Sequence, residues 1–158
     1  MPSFRTTHRV PFSPRQMFEL VADLESYPCF LPLCEGLLVR QREQRGQATH
    51  VLADMTVGYS AIRETFTSLV ELDPRGLTVV ANGAPGSRGP FRRLENRWAF
   101  RAVPGGCEVD FFISYAFKSL VLQALVGSLF DRVFRRYTRA FEERAHQVYA
   151  GTPSQLPR

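Results

Sequence analysis

The stretch CEVDFFISYAFKSLVLQALVGSLFDRVFRRYTRAFEERAHQVY, residues 107–149, decides the fold, because the period of its apolar residues changes part-way along. Over the first eleven positions Cys107, Val109, Phe111, Ile113, Tyr115 and Phe117 recur at every second residue, which places them on one face of a β-strand. From Ser119 to Tyr149 there is no Pro and one Gly, and the chain reads as a helix about 45 Å long at ~1.5 Å per residue. Leu122, Leu125, Val126, Leu129, Val133, Tyr137 and Phe141 form its apolar stripe, widened by Phe130 and Phe134. Arg132, Arg135, Arg136 and Arg139 fall on the other face. One arrangement hides both apolar surfaces: the helix lies across the concave side of a sheet that contains the strand.

Upstream the pattern is mostly period two. Leu94, Trp98 and Phe100 share a face in the segment 91–102, as do Val51, Ala53, Met55 and Val57 in 47–57. The spacing predicts strands at 37–44, 47–57, 60–72, 76–82, 91–102 and 107–117. Gln44-Arg45-Gly46, Asp73-Pro74-Arg75-Gly76 and Pro104-Gly105-Gly106 supply turns, and NGAPGSRGP (82–90) a longer loop. At the N-terminus, Phe4, Thr6, His8 and Val10 alternate on a half-buried strand over 3–10. Ser13-Pro14 then caps a helix running to about Leu24, with Met17, Leu20, Val21 and Leu24 on one face. The run YPCFLPLCEG (27–36) holds two prolines four residues apart, which allows one short helical turn. The expected class is α+β: a curved antiparallel sheet of about seven strands, two short helices after the first strand, and a long C-terminal helix.

Composition is that of a soluble globular protein. The chain has 158 residues, 44% hydrophobic and 22% charged, enough for one core burying about 68–70% of the unfolded surface. One domain is expected over 1–150, with GTPSQLPR (151–158) as a disordered tail. The longest uncharged apolar stretch, 119–130, falls short of the ~20 residues of a spanning helix. MPSFRTTHRV has no apolar signal core, and three cysteines without a CxxC fit a reducing compartment. A cytoplasmic protein is therefore expected. The net charge is +5, and Lys118 is the only Lys among 20 basic residues. Such a surface suits anionic partners, whether lipid head groups or RNA, or is simply a solvated face.

Five segments in order carry a resemblance: QMFELVADLESYPCFLPLC (16–34), RETFTSLV (63–70), GPFRRLENRWAF (89–100), CEVDFFISYAF (107–117) and AFEERAHQVY (140–149). They resemble the coenzyme Q-binding family, which overlaps with the ribosome association toxin family. Both belong to the START-like superfamily of polyketide cyclases and Bet v 1-like proteins. The resemblance covers nearly the whole chain and implies a helix-grip fold. It implies ubiquinone, held as a ligand rather than a cofactor, between sheet and helix by a chaperone or carrier supporting respiration. The alternative it implies is a protein that binds the ribosome and blocks subunit association.

The residues themselves point away from catalysis. His8, His50 and His146 show no metal-ligand spacing, no Cys has a neighbouring base, and no Gly-rich phosphate loop opens a helix. No catalytic residue, metal, cofactor or DNA partner is expected. The residues expected to hold the ligand are Tyr27, Phe30, Leu31, Ala53, Met55, Phe66, Asn96, Trp98, Phe100, Phe111, Ile113, Leu125, Leu129 and Val133. Tyr27, Phe30 and Leu31 would close the open end, with the 82–90 loop and Phe91 as the opposite lip. Asn96 could donate to a quinone carbonyl. Glu64 shares a face with Ile62, Phe66, Ser68 and Val70, so it is either an inward carboxylate or one turned outward or paired with an Arg. Arg132, Arg135, Arg136 and Arg139 would meet an anionic membrane or ribosomal RNA. In the bland reading they are a solvated face with pairs such as Asp131–Arg135 and Arg139–Glu143.

Overall fold

The computed structural model describes residues 2–149, and the side chains of all of these except Val126 and Ser128. The expected 151–158 tail lies outside the described residues, as does the side chain of Val126 in the apolar stripe.

The strands are β1 (Ser3–Val10), β2 (Cys34–Arg45), β3 (Ala48–Tyr59), β4 (Ile62–Asp73), β5 (Thr78–Gly83), β6 (Phe91–Val103) and β7 (Gly106–Phe117). They form one antiparallel sheet in the order β1-β7-β6-β5-β4-β3-β2. The period-two reading is clearest in β7, which buries Cys107, Val109, Phe111, Ile113, Tyr115 and Phe117, whereas β2 is exposed on both faces over 40–45. The sheet is open, with β1 and β2 at its edges. The β2–β3 register shifts twice, between Cys34 and Gly36 and between Val39 and Gln41.

Helix α1 (Pro14–Ala22) starts at a capping box. The Ser13 Oγ accepts from the Gln16 amide at 3.0 Å, and the Gln16 side chain accepts from the Ser13 amide at 2.9 Å. Its buried face, Met17, Phe18, Leu20 and Val21, closes one end of the grip, with the Phe18 ring 6.3 Å from Phe100. A 3₁₀ helix, Leu24–Cys29, follows, with Pro28 inside it. Tyr27 is pinned there by its hydroxyl, which donates to the Val21 carbonyl at 2.5 Å.

The C-terminal span is not one helix. It divides into α2 (Leu120–Val126), a 3₁₀ turn (Gly127–Leu129) and α3 (Phe130–Tyr149). Gly127 is the poorest helix former in the span, and the tighter turn there resets the helical phase. In α3 the buried positions are Phe134, Thr138, Phe141 and Ala145, and Val133 and Tyr137 lie at their flank. The centre of the expected stripe is thus displaced onto Phe134. Phe4 of β1 stacks near Phe134 at 6.0 Å, and the Tyr149 hydroxyl donates to the Gln16 carbonyl at 2.8 Å. These contacts lock α3 onto the sheet and α1.

Candidate functional site

Between the sheet and the C-terminal helices lies a cavity of about 220 Å³, lined almost wholly by apolar surface. Its floor is the inward face of β3 to β7, and Leu122, Leu129, Phe130, Val133, Phe134, Tyr137 and Phe141 roof it. The floor is low because small residues meet there: Ala53 on β3 pairs directly with Ser68 on β4, and Ser68 with Gly83 on β5. One end is stopped by a cluster of rings. Trp98 lies 4.7 Å from Phe111 and 4.8 Å from Phe141, and Phe141 lies 5.3 Å from Tyr27. Toward the β3–β4 turn the lining consists of Val57, Tyr59, Ile62 and Glu64, with Pro90 and Phe91 across from them.

Of the residues expected from sequence, the structure brings Tyr27, Leu31, Ala53, Met55, Phe66, Asn96, Trp98, Phe111, Ile113, Leu129 and Val133 to this lining. Three others are elsewhere. Phe100 is buried under α1 against Phe18, because the end of β6 passes beneath that helix. Phe30 lies behind Tyr27, edge-on to Phe141 at 5.1 Å, and is covered by the Arg144 guanidinium. Leu125 is 59% exposed, because α2 ends at the 3₁₀ turn and presents Leu122, not Leu125, to the cavity. With Leu120 and Val121 it forms an apolar outer face on α2. Sequence reasoning passed over Leu24, Leu33, Leu37, Leu122 and Tyr137 as lining residues. Tyr137 and Leu122 were in the apolar stripe, and the alternation of β2 carried Leu37. Leu33 had no such signal, because its placement depends on a left-handed backbone at φ 68.

The polar groups in the lining are few. Glu64 faces inward, with an unbroken register opposite Val57, and makes no hydrogen bond or ion pair among the described residues. Its neighbour Arg63 points the other way, 2.6 Å from Glu35. The Asn96 amide already donates to the Phe112 carbonyl at 2.9 Å, which leaves one N–H and the Oδ1 for a ligand. Burial pushes the Tyr137 phenol well above its ordinary range, so its hydroxyl stays protonated. The thiols of Cys34 and Cys107 are likewise pushed up to about 11 by burial and are poor nucleophiles. Cys29 is exposed. Among the described residues no cluster of His, Cys, Asp or Glu could hold a metal, and no helix is long and apolar enough to cross a membrane.

The four arginines of α3 are all exposed. Among the described residues neither Asp131–Arg135 nor Arg139–Glu143 closes as an ion pair, and Arg132, Arg136 and Arg139 are exposed. Arg135 instead covers the Phe4 ring at 5.4 Å.

A sheet gripping a helix over an apolar cavity agrees with the comparisons. The profile described as polyketide cyclase / dehydrase and lipid transport matches residues 10–142. The chain belongs to this family. Within it, the chain is 31% identical over 150 residues to the ribosome association toxin RatA of Rickettsia prowazekii, covering 94% of this chain and 99% of that one. It is 33% identical over 130 residues to the mitochondrial coenzyme Q-binding protein coq10 of Schizosaccharomyces pombe, covering 79% and 77%. Among solved structures, an 18 kDa protein of Caulobacter crescentus superposes with a TM-score of 0.79 at 33% identity, covering 95% of this chain and 99% of that one. The helix-grip fold and both branches of the resemblance are therefore present in this chain's relatives.

Proposed function

We propose that this protein is a non-enzymatic carrier that holds the ring of an isoprenoid quinone, ubiquinone, and delivers it to respiratory electron transport from the cytoplasmic side. The observation that carries this reading is the cavity, enclosed by rings and aliphatic side chains with a few polar groups to orient a head group. A cavity of about 220 Å³ suits the head-group ring, with a long prenyl chain leaving it. The chain would leave past Leu122 toward the apolar outer face of α2, where Leu120 is 82% exposed. Binding would draw on apolar burial at roughly 25 cal/mol per Å². The relative named for coenzyme Q binding supports the ligand class. Native mass spectrometry of the purified protein, with organic extraction of what it carries, tests the proposal. A co-purifying quinone is expected, and repeated extraction of no lipid would refute it.

The second reading, ribosome association, is favoured by the toxin relatives, which match over nearly their full length. The exposed Arg132, Arg136 and Arg139 would contact RNA phosphates there, or anionic lipid head groups in the carrier. Replacing these three with Gln and comparing co-sedimentation with ribosomes and with anionic vesicles separates the two. Loss from ribosomes alone supports the toxin reading, and loss from vesicles alone supports the carrier.

A further inference from the structure

One polar group of the cavity is not explained by apolar burial: the Glu64 carboxylate. Glu64 brings two carboxylate oxygens to an otherwise apolar lining and has no partner among the described residues. An ionised carboxylate can only accept. The one basic residue beside it in sequence, Arg63, is held by both of its hydrogen bonds to Glu35 on the outer face, at 2.6 and 3.1 Å. Asn96 uses one N–H on the Phe112 carbonyl, and its other N–H and its Oδ1 make no hydrogen bond among the described residues. Beside these lie the hydroxyls of Tyr59, Tyr137 and Ser68, each able to donate or accept.

An oxidised benzoquinone offers carbonyl and ether oxygens, all acceptors. Facing Glu64 with such a ring would set two acceptors against each other, with no hydrogen bond gained. The hydroquinone of the same ring has the same shape and carries two O–H donors. One can donate to Glu64, and the ring still offers oxygens to the Tyr137 hydroxyl. We infer that the cavity selects the reduced, hydroxyl-bearing form of its ring ligand over the oxidised form, with Glu64 as the acceptor that makes the choice. This inference rests on the ring-in-cavity reading above and adds to it which redox form is carried.

The test uses the full chain and three probes of one shape: a dimethoxy-methyl-benzoquinone with a short alkyl chain, its chemically reduced hydroquinone kept under argon, and the hydroquinone dimethyl ether, which has no donor and no redox chemistry. Calorimetry gives the affinity of each. The expected result is that the hydroquinone binds about tenfold or more tighter than the quinone and the diether, the range of a hydrogen bond to a charged group. In Glu64→Gln, which can donate as well as accept, the preference should fall to near unity or invert, with an unchanged melting temperature. Equal wild-type affinity for all three probes would overturn the selectivity and leave the cavity reading standing. Binding of none of them would overturn both. A hydroquinone preference that persists in Glu64→Gln and Glu64→Leu would remove Glu64 from the role.

Discussion

Substitution of Ala53 by Phe asks whether the space under the roof is open. Ala53 is buried, lines the cavity and sits in the lowest part of its floor, paired with Ser68 and with Val39 of β2. The substitution adds six ring carbons, roughly 100 Å³ at interior packing density, at the floor of a cavity of about 220 Å³. Filling an apolar void is worth about 24 cal/mol per Å³, so the variant gains up to about 2 kcal/mol. For a domain of this size that is a rise in Tm of roughly 4–8 °C. In a filled core the same ring would overpack and cost about 1–3 kcal/mol, so the sign of the change decides. Calorimetric melting is paired with the quinone recovered by extraction. The expected outcome is a Tm equal to or above wild type with ligand lost. Ala99→Phe, on the outward face between Arg97 and Arg101, should change neither. A fall of several degrees in Ala53→Phe, with ligand retained, would refute the open cavity.

Three further outcomes follow from local geometry. A Cβ on Gly106 would run into the Val10 carbonyl oxygen and lie 3.1 Å from the Pro11 Cα, both backbone atoms; Gly106→Ala should therefore cost about 1–3 kcal/mol in the urea midpoint. Tyr27→Phe leaves the buried Val21 carbonyl without its donor and should cost about 1–3 kcal/mol by the same measurement. The Arg63 guanidinium holds the Glu35 carboxyl below its ordinary value. A depressed carboxyl contributes stability that is full above its unfolded value and is lost as pH falls through the folded one. Arg63→Gln should thus melt slightly below wild type at neutral pH, and the two should converge in strong acid and in high salt.

Most of the fold could be read from the sequence because strands with one buried face print their period directly. Cys107 to Phe117 fixes β7, and the same alternation in 62–70 already places Glu64 beside Phe66 and Ser68 on the inner face. The expected strand ends differ from the observed ones by at most three residues, where turns and bulges lack a period. The C-terminal span was misjudged at Gly127. A 3.6-residue period extended through a single glycine cannot register a tighter turn, and Leu125 was consequently placed inside. Phe100 was assigned to the right face but the wrong end, because alternation gives the side of a strand and not which helix covers it. Leu33 could not be foreseen, since a left-handed leucine after proline arises from tertiary packing.

The open sheet leaves two rows of unpaired backbone groups, and β2 carries the longer one. Its two register shifts break the straight run of amides that an incoming strand would need, and Arg40, Arg42, Glu43 and Arg45 project from the exposed border. An eighth strand, from a second copy or from a partly unfolded chain, would meet a kinked and charged template there. Extension of the sheet by an added strand is therefore disfavoured at the β2 edge.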